Sequence, residues 1–313
     1  MMHSRRTIRM AGGKVTSFWS RRLAGFKGVT LLLLTLPPLF WSGNFIVARA
    51  MRGAIPPLTL SFSRWVIALL VLLPFAIPAL RRQWPLFLPH WRLLLLTSLT
   101  GIAGFNTLVY LGLQTTPATN GLLLNSTIPV FICLLGTLSG SLRLGGSQWL
   151  GLLISLSGVI LIISHGQPLQ LLQLAFSRGD LLVLLAMLCW AIYTIALKQL
   201  PAELDRLALM TLQIVLGLGM LLPAFAWEQT QDGGVSWSLE VLLGLAYVGV
   251  VPSVLAYLLY GACVSRLGPA RAGLSVHLIP VFGVLLAVAL LGEQLHGFHL
   301  LGMLLIVIGL LRR

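Results

Sequence analysis

The sequence predicts an all-α integral membrane protein of ten transmembrane helices, arranged as two inverted-topology repeats of five. Three observations predict it. Hydrophobic residues make up 58% of the chain and charged residues only 9%, where a soluble domain carries roughly a quarter charged residues. Apolar runs of about 20 residues, long enough to cross about 30 Å of hydrocarbon as helices, recur along nearly the whole length. The second half also repeats the first at a near-constant offset.

Charge, proline and glycine bound each helix. A polar tail, residues 1–27, holds seven Lys and Arg side chains and is too long and basic for a cleaved signal sequence. It is expected to be retained, lying against anionic headgroups. Helix 1 is expected near 29–49, before Arg49 and Arg52, and helix 2 near 57–79, before Arg81 and Arg82. Helix 3 lies near 91–113, and a tight connection from Gln114 to Pro117 leads to helix 4, near 117–138. Gly140-Ser141-Leu142-Arg143 precedes helix 5, near 147–164. Helix 6 is placed near 180–198 after Arg178, and helix 7 near 206–227 after the connection from Lys198 to Arg206. Helix 8, near 239–262, follows a loop with Glu228 and Asp232, and helix 9, near 270–291, follows Arg266. A short turn from Gly292 to Gly297 leads to helix 10, near 297–311. The domains are then the tail at 1–27, a first five-helix repeat at 28–165 and a second at 178–313.

A cytoplasmic N-terminus places 17 of the 21 Lys and Arg residues on the cytoplasmic side and 3 on the other (Arg49, Arg52, Arg178), with Arg64 inside a helix. So uneven a split supports that orientation in a bacterial inner membrane, and an even helix count returns the C-terminus to the cytoplasm. The net charge of +14 is scattered at helix ends rather than gathered on one soluble face, which argues against nucleic acid as a partner. The bilayer is the partner it implies. Cys133, Cys189 and Cys263 lie in apolar runs without disulfide or metal-site spacing and read as small buried hydrophobes.

The repeat is an ordered series. Pro38-Leu39-Phe40-Trp41 aligns with Met187-Leu188-Cys189-Trp190 at an offset of 149, which also carries Pro74 onto Pro223 and Arg64 onto Gln213. Ile128-Pro129-Val130-Phe131 recurs as Ile279-Pro280-Val281-Phe282 at 151, as do Gly151 in Gly302 and Gly158 in Gly309. Five helices is an odd number, so the second repeat enters the membrane from the opposite side. Two similar, oppositely oriented halves can exchange conformations and open a shared central cavity to either side, the architecture of alternating-access carriers.

At these residues the chain resembles the drug/metabolite transporter superfamily, in its EamA-type branch with two tandem EamA domains. Trp41-Ser42-Gly43-Asn44-Phe45 is similar to the branch's Trp-Gly-Ser-Asn-Phe, and Ser63-Arg64-Trp65 stands where the branch commonly has a helix 2 arginine. Ile-Pro-Val-Phe falls in helices 4 and 9, and Leu290-Leu291-Gly292-Glu293 matches the usual Leu-Gly-Glu ending. The resemblance, from about residue 29 to 311, implies export or exchange of amino acids or related metabolites. The glutamate that often ends helix 4 in this branch is absent here, where Gly140-Ser141-Leu142-Arg143 follows.

The seven acidic residues fall at helix ends or in loops. Intramembrane carboxylates mark proton relays and cation sites, so the pattern argues against proton-coupled export of cationic drugs and favours a neutral, zwitterionic or anionic solute. Arg64, inside a span, is expected to bind a substrate carboxylate or a carbonyl cluster, or else to snorkel or lock packing. Trp41 with Asn44, and Trp190 with Tyr193, share helix faces at repeat-equivalent positions and could line an aromatic cavity, or pack as interfacial aromatics. Asn120, Asn125, Ser126 and His277 precede Pro129 and Pro280, where kinks would serve as hinges. His277 could report protons or be a satisfied buried histidine. Asn106, Tyr110, Gln213, Tyr257 and Tyr260 are further polar groups that could bind solute or glue helices together.

No cofactor or metal is implied; His296 and His299 with Glu293 could be drawn as a metal site, but the loop is short and nothing supports a third strong ligand beside the histidine pair. An integral membrane enzyme would need a nucleophile with a base, His-Glu-x-x-His or clustered aspartates, and none is present. A channel, and multidrug, lipid-linked or nucleotide-sugar carriers of the same superfamily, are the alternative readings, in a monomer or homodimer.

Overall fold

In hydrocarbon, backbone N–H and C=O groups must be satisfied within the chain, which favours helices wherever the sequence is continuously apolar. The computed structural model describes residues 12–51, 53–116, 121, 124–169, 177–231, 234–291 and 294–312, and among them holds helices and turns but no strand. In order these are α1 (Gly12–Ala50), α2 (Pro57–Phe87), a 3-10 turn (Leu88–His90), α3 (Trp91–Thr97), a π-helical segment (Ser98–Gly104), α4 (Phe105–Gly112), α5 (Ile128–Leu138), α6 (Gly146–Ile163), α7 (Arg178–Gln199) and α8 (Arg206–Gln229). Then follow α9 (Leu239–Val250), a second π segment (Val251–Leu255), α10 (Ala256–Leu267), α11 (Pro269–Ser275), α12 (Leu278–Leu291) and α13 (Gly297–Leu311). Among the described residues, six helical stretches are long and apolar enough to cross a membrane, and Ile128–Leu138 and Gly297–Leu311 are shorter apolar helices.

The exterior is apolar. Leu70, Phe75, Leu243 and Leu304 are among many large hydrophobic side chains more than half exposed. The interior meanwhile buries Arg64, Asn106, Asn125, Gln213 and His277. This inverts a water-soluble protein, and it suits a multi-pass membrane protein whose outer surface meets lipid chains.

The boundaries differ from the sequence expectation in physically informative ways. The helix that enters the first span begins at Gly12, so the part of the tail from 12 onward is helical and continuous with it. α2 runs on to Phe87 instead of stopping near 79; at 1.5 Å per residue its 31 residues make about 46 Å, longer than the hydrocarbon. Helices 3 and 8 are interrupted by the two π segments. Helices 4 and 9 do not continue through their prolines. Turns at Ser126-Thr127 and Val276-His277 precede α5 and α12, so Pro129 and Pro280 stand in first turns, where the missing N–H costs no hydrogen bond.

Two antiparallel pairs frame the bundle. α6 packs along α13 backbone to backbone: a Cβ on Gly151 would meet Gly309 O at 2.8 Å, and one on Gly302 would meet Gly158 O at 2.8 Å. Only glycine permits that approach. α2 packs along α8 and is pinned at both ends. The Glu228 carboxylate accepts from Leu58 N–H at 3.0 Å and Thr59 N–H at 2.6 Å, satisfying orphan donors of the first turn of α2. At the far end Gln83 Oε1 accepts from Asp205 N–H at 2.7 Å, just before α8.

Candidate functional site

The core of the molecule is an aromatic cluster fixed by the two π segments. A π bulge displaces backbone carbonyls from their usual partners and leaves them open to side-chain donors. Trp65 Nε1 donates to Ile102 O (3.1 Å), Tyr257 OH to Gly101 O (2.8 Å), and Trp41 Nε1 to Pro252 O (3.2 Å). These rings then meet edge-on: Trp41 lies 5.1 Å from Trp190, and Tyr257 lies 5.1 Å from both Trp65 and Trp190. Tyr260 closes the cluster, its hydroxyl taking a bond from Trp190 Nε1 at 3.3 Å and pairing with Thr194 Oγ1 at 3.0 Å.

Beside this cluster, Arg64 is 1% exposed and its guanidinium is held by three side chains from α4 and the second π segment. Nε donates to Ser253 Oγ (2.8 Å), and Nη1 donates to Asn106 Oδ1 (2.7 Å) and to Tyr110 OH (2.5 Å). Asn106 Nδ2 donates onward to Tyr257 OH at 3.0 Å, and Tyr110 OH faces Asn44 Oδ1 at 3.5 Å. Arg64 therefore neither snorkels nor contacts a carbonyl cluster; the oxygens that take its hydrogen bonds belong to neutral side chains. A buried cation compensated only by dipoles is suited to attract an anionic group.

A small cavity of about 30 Å³ opens against this network, lined by Trp41, Asn44, Asn106, Asn125 and Trp190 along with apolar residues including Val276 and Ile279. Its floor lies where the helix breaks meet: Ser126 O accepts from His277 Nε2 at 3.0 Å, and His277 Nδ1 faces Ser155 Oγ at 2.8 Å. Both ring nitrogens of His277 are thus engaged in joining helices. A second cleft, of about 90 Å³, adjoins the aromatic cluster and is lined by Tyr193, Lys198, Arg206, Gln213, Tyr257 and Ser265 among others.

Of the residues singled out in sequence, Trp41, Asn44, Asn106, Asn125 and Trp190 meet at the first cavity. Tyr193, Gln213 and Tyr257 face the second cleft, where Gln213 Nε2 also donates to Thr97 Oγ1 at 2.7 Å. Arg64 and Tyr110 join the first group through hydrogen bonds, whereas Tyr260 packs inside the aromatic layer and lines neither space. Asn120 and Glu293 lie outside the described residues. Sequence reasoning missed Ser253 and Trp65. Their signal was Pro252 within an apolar helix, a place where backbone acceptors are freed, and the tryptophan beside Arg64.

Three comparisons bear on this arrangement. The model of the EamA-like transporter family matches residues 28–164 and again residues 177–312. A probable amino-acid metabolite efflux pump of Escherichia coli K12 is 30% identical over 90% of this chain and 93% of its own length. An uncharacterized transporter of Archaeoglobus fulgidus is 27% identical over 90% and 95%, and a probable terminal-alkyne amino-acid exporter of Streptantibioticus cattleyicolor is 27% identical over 85% and 86%. A solved crystal structure, 20% identical, superposes with a TM-score of 0.71 over 91% of this chain and 95% of that one, a likeness of fold.

Proposed function

Since this chain belongs to the EamA-like transporter family, we propose that it exports or exchanges small polar metabolites, amino acids and their relatives foremost, by alternating access across a bacterial inner membrane. In this reading ten spanning helices form two inverted repeats, residues 28–165 and 178–313, behind a basic tail at 1–27, with both termini in the cytoplasm. The observation that carries it is the reciprocity of the α6–α13 seam. Gly151 and Gly158 in the first repeat align with Gly302 and Gly309 in the second, and the contacts made are Gly151 with Gly309 and Gly158 with Gly302. Each contact is the other with its partners exchanged, as an isologous two-fold pairing requires. Ser126 and His277, also 151 apart, bond to each other across the same pseudo-axis.

The proposed solute path runs through the cavity at these helix breaks, with aromatic walls and amide groups for orientation and Arg64 for a carboxylate. Pro129 and Pro280, at the start of α5 and α12, serve as hinges about which the broken helices swing. The names of the two amino-acid efflux relatives agree with a substrate carrying a carboxylate. Proteoliposome counterflow with amino acids, polyamines, nucleosides and drug cations tests the reading. Saturable exchange of amino acids is expected; exchange of cations alone would overturn it. Tags at the two chain ends found on opposite membrane faces would remove the inverted-repeat premise.

A further inference from the structure

The second cleft has its own chemistry. Lys198 Nζ donates to the Ser265 carbonyl at 2.9 Å, and Arg206 Nη2 to Ser265 Oγ at 2.5 Å, so two cations converge on one serine at the cleft wall. Arg266 follows in sequence. The adjoining carboxylate of Asp205 is committed elsewhere, accepting from Leu207 and Ala208 N–H, both at 3.0 Å, as the N-cap of α8. Lys and Arg at cytoplasmic helix ends are expected from topology alone, and such side chains ordinarily point outward to headgroups. Arg206 instead is half-buried and turned along the cleft wall. Gln213, Tyr193 and Tyr257, all buried, also line the same cleft. Tyr257 in turn bonds Asn106, which bonds Arg64. A line of polar groups therefore connects the Lys198 and Arg206 mouth to the buried guanidinium, interrupted only by the aromatic layer.

We propose that this cleft is a separate loading site for carboxylate-bearing metabolites, in which Lys198 and Arg206 hold the carboxylate before the solute passes Tyr193 and Gln213 toward Arg64. The inference rests on the transport reading for its purpose, but its binding chemistry can be tested without transport. Cationic walls with low-dielectric flanks raise the local concentration of anions, an effect that added salt screens.

Purified protein in neutral detergent is titrated with benzoate, L-phenylalanine and L-phenylalanine methyl ester while the melting temperature is followed, since a ligand of the folded state raises it by mass action. Benzoate and phenylalanine are expected to stabilise and the methyl ester to do so at least tenfold more weakly. Arg206→Gln and Lys198→Gln should each weaken carboxylate binding about tenfold, and Arg206→Lys about threefold or less. Lys198 is exposed, so its variant serves should Arg206→Gln fail to fold. Carboxylate binding unchanged in both glutamine variants, or absent in the native protein, overturns the inference. So does stabilisation by phosphatidylglycerol alone, which would assign the cations to lipid headgroups. Carboxylate binding with this pattern but no counterflow of any solute would overturn the transport reading and leave the site standing.

Discussion

Arg64 and Gln213 stand 36 residues into their respective family-matching segments, yet their surroundings differ completely. Around Arg64 the space is filled: Tyr110, Asn106 and Ser253 take its donors, and Asn44 lies beyond Tyr110. Gln213 is equally buried, but it donates to a single neutral partner, Thr97 Oγ1, and lines the second cleft. The residue at the place of Tyr110, 151 positions on, is Gly261, where an added Cβ would meet nothing closer than Leu197 Cδ2 at 3.8 Å. Tyr193 and Tyr257 stand at the places of Asn44 and Asn106, and each pair lines a space, the second cleft and the first cavity respectively. Like backbones thus carry unlike plugs. In the proposed path, Arg64 is tied by hydrogen bonds on one side, and Gly261 leaves room on the other. In the proposed alternating-access cycle, opening the first side would break bonds to Arg64, and closing the second would need the helices to move together around Gly261.

The largest effect is expected from breaking the filled side. Arg64→Gln should lower counterflow at least a hundredfold, and Arg64→Lys should not restore it, because one ammonium cannot reproduce the fork that reaches both Ser253 and Asn106. Unchanged counterflow in Arg64→Gln would rule out a role in holding substrate. Next, Gly261→Tyr installs the first side's plug on the open side. Transport should fall about tenfold or more while the detergent melting temperature holds, since the site has room and glycine is a poor helix former; retained transport would mean the cleft is off the path.

Two smaller effects sharpen the comparison at the α2–α8 pair. Glu228→Gln keeps the shape but loses the charge that receives Leu58 and Thr59 N–H, and should cost about 1–2 kcal/mol, read as a lower melting temperature. Gln83→Ala, at the neutral end of the same pair, should cost about 1 kcal/mol. Equal losses would show that the charge adds nothing. A smaller effect on transport is expected of Gln213→Ala, which removes an amide from the proposed path along with its bond to Thr97; counterflow should fall about threefold.

The helical segments and their order were legible because burying or lipid-facing apolar runs leave a one-dimensional signature. The Gly151, Gly158, Gly302 and Gly309 seam was equally visible as repeated small residues. The π segments were not. Ser98–Gly104 and Val251–Leu255 are apolar like their neighbours, and what stabilises them is distant in sequence: the indole of Trp41 meets Pro252 across 211 residues. The breaks before Pro129 and Pro280 were anticipated as kinks, but whether a proline bends a helix or begins a new one is decided by what takes the freed backbone groups. Here Ser126 O is taken by His277. Arg64 and Tyr110 were both noticed in sequence. Their bond was not, because pairing across helices depends on rotation and depth that hydropathy does not carry.

The glycine seam has a mechanical consequence. Where main chain lies directly on main chain, there is no rotamer to turn and no side chain to slide past, so α6 and α13 meet as two rigid rods with a fixed gap. Any rocking of the bundle must be absorbed by pairs that touch through side chains. In the proposed transport cycle the seam would then be the stationary post.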